Sequence, residues 1–173
     1  QQFSFNFLFT CYNTLLSDFL NTKFTENNNV HCANIHKFIF EIINKYDHLN
    51  SISKPQKEWG RKEWDELAYQ AGELFESNNH KKFDYLIVDE AQDVLSDSLL
   101  LFLDIILENG LDKGNWAMFG DFDYQDIFIK ANTLDEYNPV KLRLSDNLRN
   151  PESIGYTVEK VLEYKHRLIY DEY

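Results

Sequence analysis

The 173-residue chain contains two cysteines, three prolines, six glycines and one methionine. Cys11 and Cys32 sit in apolar segments without metal-ligand spacing, which excludes a disulfide scaffold and a zinc module and suits small buried groups in a reducing cytosol. No apolar run approaches the roughly 20 residues that span a bilayer, and Gln1-Gln2-Phe3 lacks the charged region of a secretory leader, so no membrane is expected and a soluble, cytoplasmic protein is. The absence of an initiator Met, with a start inside a strand-like run, predicts a piece of something longer. Basic residues are scarce. Lys plus Arg number 17 against 29 acids, a net charge of -12, which excludes a broad basic nucleic-acid face and leaves room only for local contacts. No Gly-x-x-x-x-Gly-Lys-Ser/Thr loop occurs, so these residues hold no backbone cradle for inner phosphates.

Apolar and aromatic residues are plentiful, at 43% and 16%, enough for one compact core, and a single domain over 1–173 is expected. Phe3 to Cys11 reads as a buried strand, Leu15, Leu16, Phe19 and Leu20 as a helix, and Val30 to Ala33 as a short strand. Ile35, Phe38, Ile39, Ile42, Ile43 and Tyr46 recur at spacings of a single helix face, as do Trp64, Leu67, Ala68, Ala71, Leu74 and Phe75. Residues 47–60 read as a surface connection. Phe83 to Val88 predicts a strand, Leu99 to Leu107 a helix closed at Asn109-Gly110, and Trp116 to Phe119 another strand. Val140 to Leu144 predicts a last strand and Pro151 to Leu162 a last helix. Strands alternating with helices imply an α/β fold, with a mostly parallel sheet covered on both faces and its chemistry at the carboxyl ends of the strands.

Leu86-Ile87-Val88 delivers Asp89 and Glu90 to such an end, followed by Ala91-Gln92-Asp93. Adjacent carboxylates there can hold magnesium through water and activate an attacking water; capping the next helix is their plainer use. Further along, Trp116 to Phe119 runs into Gly120-Asp121, then Phe122-Asp123-Tyr124-Gln125-Asp126-Ile127-Phe128. A third segment reads Leu144-Ser145-Asp146-Asn147-Leu148-Arg149.

In order, these segments resemble three motifs of the UvrD/Rep-like superfamily 1 helicases: an apolar strand into Asp-Glu-x-Gln-Asp, then Gly-Asp-x-x-Gln-x-Ile-aromatic, then Leu-x-x-Asn-Tyr-Arg. The resemblance implies a three-layer RecA-like domain of the P-loop NTPase type. It implies Asp89 on magnesium, Glu90 as the base for water, Gln92 linking the ATP site to moving parts, and Gln125 and Arg149 on the terminal phosphate. The gap before Gln125 is one residue longer than in the best-known members, and Leu148 stands where tyrosine is usual. Upstream, Leu8-Phe9-Thr10-Cys11-Tyr12-Asn13 resembles the family's strand-end motif that touches single-stranded nucleic acid, and Ile35-His36-Lys37-Phe38 resembles its Thr-Phe-His segment with Ile35 in the aromatic position, a helix-start histidine being the plainer use of His36. By that likeness Tyr12, Asn13, His36 and Phe128 meet DNA or RNA.

The resemblance covers about Phe5 to Leu162, the middle of a whole helicase, with a reduced insertion region at 47–80. Its phosphate-binding loop and second RecA-like domain would lie elsewhere in the parent chain, so this segment alone is expected to turn over little or no ATP. Two competitors stand beside it. One is a non-enzymatic RecA-like interaction or regulatory module; the other is a receiver-type phosphoryl-transfer domain built from Asp84, Asp89, Glu90 and Asp121.

Overall fold

The computed structural model describes residues 5–24, 26–46, 59–121, 134–142 and 160. The chain divides into two compact units, residues 1–138 and 139–173, and every named strand and helix among the described residues belongs to the first.

Four strands form one sheet: β1 (Phe7–Cys11), β2 (Val30–Asn34), β3 (Tyr85–Asp89) and β4 (Asn115–Met118). Their order is β2-β1-β3-β4 and every neighbouring pair is parallel. Parallel neighbours need crossovers, and the chain supplies α1 (Thr14–Lys23) after β1, α2 (Ile35–Lys45) and α3 (Arg61–Ser77) after β2, and α4 (Ala91–Val94), α5 (Asp97–Ile106) and α6 (Gly110–Lys113) after β3. From β1 the path steps to one side, to β2; from β2 and then β3 it steps the other way. Right-handed crossovers therefore put α1 on one face and the later helices on the opposite one. The expected α/β class with helices on both faces is what the chain adopts.

Side-chain alternation fits this division. Leu8, Ala33, Leu86 and Val88 join the main core with Phe38, Ile39 and Ile43 of α2, Leu67, Ala71 and Phe75 of α3, and Leu99, Phe102, Leu103 and Ile106 of α5. The α1 face is thinner. There Cys11 and Cys32 are buried apart from the main core, and the Asn21 side chain of α1 donates to the Cys32 carbonyl at 2.6 Å.

Cys11 registers with Asn34, and Cys32 with Phe9, so the thiols stand two residues out of step on adjacent strands. At roughly 3.3 Å rise per residue and 4.8 Å between strands, that offset puts the Cα atoms about 8 Å apart, beyond disulfide reach. Both cysteines are free.

Three expectations need correction. The helix α1 forms, but Leu15 and Phe19 are 80% and 55% exposed and only Ser17 is buried. Helical period says which residues share a side and not which side meets the sheet; here the small Ser17 does. Near Asn109-Gly110, α5 has already ended at Ile106, and both residues take positive φ, 66° and 64°, to open α6. A Cβ at Gly110 would also lie 2.6 Å from Asp104 Oδ1, which accepts the Leu111 N–H at 2.7 Å, so glycine is required there. Finally, residues 140–142 form no strand, and Val140 and Leu142 are 89% and 90% exposed. Alternating apolar residues make a strand only where a neighbour supplies ladder bonds and burial. The rest of that segment and the Pro151 to Leu162 helix lie outside the described residues, apart from Lys160, which is helical.

Candidate functional site

Because the connections after β1 and β3 leave toward opposite faces, the carboxyl ends of these two adjacent strands form the topological switch point at which open α/β sheets bind ligands. Cys11, Tyr12 and Asn13 bound it on one side, Asp89 and Glu90 on the other. Asp89 ends β3 in register with Cys11 and is half-buried. Burial first, offset by the Asn13 backbone and then joined by the Asp89 charge, pushes the Cys11 thiol above its ordinary range, so carboxylate and thiol share the α1 side of the sheet.

Glu90 is exposed and held in the left-handed region at φ 50°, ψ 46°, a conformation disfavoured for a residue with a side chain. What fixes it is the tight β3-to-α4 turn and Gln92. The Gln92 side chain is buried, donates from Nε2 to Glu90 Oε2 at 2.7 Å, and accepts on Oε1 from the Asp121 backbone N–H at 3.1 Å. Two further bonds lock the same corner: Phe119 N–H to the Val88 carbonyl and Ala91 N–H to the Phe119 carbonyl, each 2.8 Å. The Asp-Glu-x-Gln-Asp segment and Gly120-Asp121 thus meet at one point of the rim through a single amide. Asp93, one turn on, has its carboxyl pushed up by burial and then by the Glu90 charge.

Among the described residues no group of three or more His, Cys, Asp or Glu side chains could hold a metal by itself. The donor set at this corner is one half-buried carboxylate with a second beside it. That suits magnesium, which binds through one or two carboxylates and keeps its remaining positions for water and phosphate oxygens. Gln125, Phe128 and Arg149 lie outside the described residues.

The nucleic-acid candidates gather a strand away. Tyr12, 52% exposed, packs edge-on against His36, with ring centroids 5.7 Å apart. Asn34 ties their backbones together: its Nδ2 donates to the Tyr12 carbonyl and its Oδ1 accepts the Lys37 N–H at 3.1 Å. Asn13 is exposed and caps α1, its Oδ1 accepting the Leu16 N–H at 3.2 Å. Sequence reasoning missed the other side of this group, where the His36 ring lies 4.1 Å from that of Trp64, and Trp64 is 5.4 Å from Trp59. Trp64, a core position of α3 by its spacing, does pack half-buried against the core, and its ring also reaches the first turn of α2.

The receiver-type arrangement fails on geometry. Asp84 stands at the amino end of β3, where its carboxylate accepts the Asn6 N–H at 2.7 Å, a strand's length from Asp89.

Below this rim, burial depresses the basicity of His36, and of His31 with Glu41 opposing, and burial and then Lys45 depress that of His80. The His31 Nε2 is buried and has no hydrogen-bond partner. A group that binds its proton less readily when folded contributes stability that is full above its unfolded value of about 6.5 and is lost as pH falls through it. We expect His31→Phe to gain stability relative to the parent as pH drops from 7.5 to 5. Urea midpoints at the two values test this, and a difference independent of pH contradicts it.

No described helix is long and apolar enough to cross a membrane. No family model, curated protein or solved structure matches the chain.

Proposed function

We propose that these residues form the central part of the first motor domain of a UvrD/Rep-like ATP-dependent helicase, coupling hydrolysis of magnesium-ATP to movement along single-stranded DNA or RNA. The observation that carries the reading is the Gln92 side chain, which joins Glu90 to Asp121 and so brings together two segments that the resemblance assigns to one nucleotide site.

In this reading Asp89 holds magnesium, which when bound supplies charge neutralisation along the phosphate tail. Glu90 accepts the proton of the attacking water. Its carboxylate already receives one hydrogen bond from Gln92, which orients it and leaves the other oxygen for the water. Asp121 is reached through its backbone, so displacement of the segment after β4 would be felt at Glu90 through one rigid amide. Gln125 and Arg149 are assigned to the terminal phosphate by resemblance, Arg149 because a guanidinium stays charged and can fork onto phosphate oxygens. This reading requires a phosphate-binding loop and a second RecA-like domain, neither of which is among these residues.

The test is steady-state ATP hydrolysis by the intact parent protein with and without single-stranded oligonucleotide. Magnesium-dependent turnover that rises with the oligonucleotide and disappears in Asp89→Ala supports the reading. Turnover absent under every condition, with the protein folded, leaves the non-enzymatic interaction module as the better account.

A further inference from the structure

We infer that the α1 face of the sheet docks a second copy of this chain, with α1 of each copy lying on the open floor that β3 and β4 form in the other. This association needs neither nucleotide nor nucleic acid.

Parallel sheets occur almost only with both faces covered. Among the described residues one connection, α1, crosses this face, and it packs on β2 and β1. Beside it β3 and β4 stay open: Tyr85 and Ile87 are half-buried, and Asn115 and Ala117 are exposed. Register puts these four on the same face as Phe7 and Phe9, and Phe7 stacks on Tyr85 with centroids 4.7 Å apart. The helix has a definite orientation about its own axis. Asn21 reaches the Cys32 carbonyl of β2 and Asp18 lies 4.0 Å from Lys37 at the start of α2, so that flank lies over β2. Leu16 and Leu20, half-buried, take the opposite flank, toward the floor, and Leu15 and Phe19 stand on top.

A ridge beside a shelf is a shape that fits its own copy. An isologous interface requires a patch that complements itself, and a two-fold axis along the strands carries the ridge of one copy onto the shelf of the other. The sizes agree, since two strands about 4.8 Å apart make a floor roughly 10 Å wide, close to the diameter of a helix. So does the area. Phe5, Leu15, Phe19, Phe24 and Phe119 are between 41% and 80% exposed. At about 200 Å² for each such residue they present about 500 Å² of apolar surface, as much as the largest patch on an ordinary monomer. With the half-buried floor added, the face approaches the roughly 800 Å² per partner of a stable interface.

Charge selects the same occupant. Residues 1–46 hold three acids, Asp18, Glu26 and Glu41, and three bases, Lys23, Lys37 and Lys45, so the whole net charge of -12 resides beyond them. On the floor the first charge is Asp89, at its carboxyl end. Residues 63–112, which include α3 and α5 of the opposite layer, carry thirteen acids against Lys81 and Lys82. Two acidic copies repel least through the neutral face. A basic partner is drawn instead to the opposite layer, and nucleic acid finds no excess of cations on this one.

Sedimentation velocity of the full 173-residue chain over the micromolar range is expected to show a monomer–dimer equilibrium. Raising salt from about 0.01 to 0.1 M shortens the screening length from about 30 to 10 Å, so the dimer should tighten. Leu15→Glu and Phe19→Glu, at exposed helix positions and checked as folded by circular dichroism, should each weaken it at least about thirtyfold, because every substitution occurs twice across a two-fold. Ala117→Arg, on the exposed floor, should weaken it as well. Leu101→Glu, exposed on α5, should leave it unchanged.

A chain that stays monomeric at every concentration overturns the inference, as does a dimer that Leu101→Glu loosens equally or that added salt dissociates. If Phe19→Glu acts and Ala117→Arg does not, ridge meets ridge and the floor has no part, which contradicts the arrangement. If the intact parent protein is monomeric where the 173-residue chain dimerises, another segment of the parent covers the face and the second copy is ruled out.

Discussion

On the proposed helicase reading, substituting glutamine for Glu90 should lower ATP turnover by the intact protein about 10²–10⁴-fold, the usual contribution of a positioned general base. The amide is isosteric with the carboxylate and its oxygen can still accept the hydrogen bond from Gln92 Nε2, so the left-handed turn and the tie to Asp121 are preserved. What is lost is the ability to take a proton. Magnesium-nucleotide affinity should stay within a few fold, because Asp89 is untouched and the change removes an interaction made with the attacking water rather than with the bound tail. Single-turnover rates and equilibrium nucleotide binding, measured side by side, separate these effects. Parental turnover in Glu90→Gln would remove Glu90 from the mechanism, and lost affinity with unchanged turnover would mark it as a binding group.

The second large effect is on stability. Phe102→Ala should destabilise the fold by about 3–5 kcal/mol, a sizeable share of the roughly 5–15 kcal/mol that holds a domain together. Phe102 is fully buried in α5 and packs toward Phe38 of α2, with centroids 6.0 Å apart. It also faces Gly72 of α3, where an added Cβ would lie 3.9 Å from the Phe102 Cα, so backbone and ring are enclosed from two helices. Such a site cannot collapse to fill the space a ring leaves. Leu15→Ala, at 80% exposure on α1, should cost within about 0.5 kcal/mol. Urea unfolding of the two variants, with equal slopes, gives the comparison; similar midpoints for both would contradict this account of the core.

Phe102 and Leu15 look alike in the sequence. Each sits at an apolar helical position, and nothing in the local spacing ranks one above the other. The α2 face could be ranked, because Ile35, Phe38, Ile39, Ile42 and Ile43 leave no second face on which to pack, and all five are buried. α1 instead carries apolar residues on two sides and, among the described elements, packs chiefly on β1 and β2, so its orientation is decided by the sheet. The same distinction runs through the candidate site. An apolar strand ending in two carboxylates is legible from Leu86-Ile87-Val88-Asp89-Glu90, since β3 must be buried and its end must not be. The bridge from Gln92 to Asp121 is not legible, because it depends on β3 and β4 being neighbours. Helical period places Trp64 beside Leu67 and Ala68, against the core where it packs, but its contact with His36 is not legible, because it depends on the approach of α2 to α3.

By itself, then, the sequence determined the elements that rest on nearest-neighbour chemistry. These are the alternation of strands and helices, the apolar stripe of α2, the unsuitability of the two cysteines for a disulfide framework, and the placing of Asp89 and Glu90 at a strand end. The tertiary structure alone decided the strand order β2-β1-β3-β4, the outward turn of Leu15 and Phe19, the role of Gln92 as a clasp between distant segments, and the row of rings from Tyr12 to Trp59. The reason is physical. Period and propensity act over a few residues along the chain, whereas these features arise from which surfaces meet when the sheet closes, and that is settled by the burial of the whole core at once.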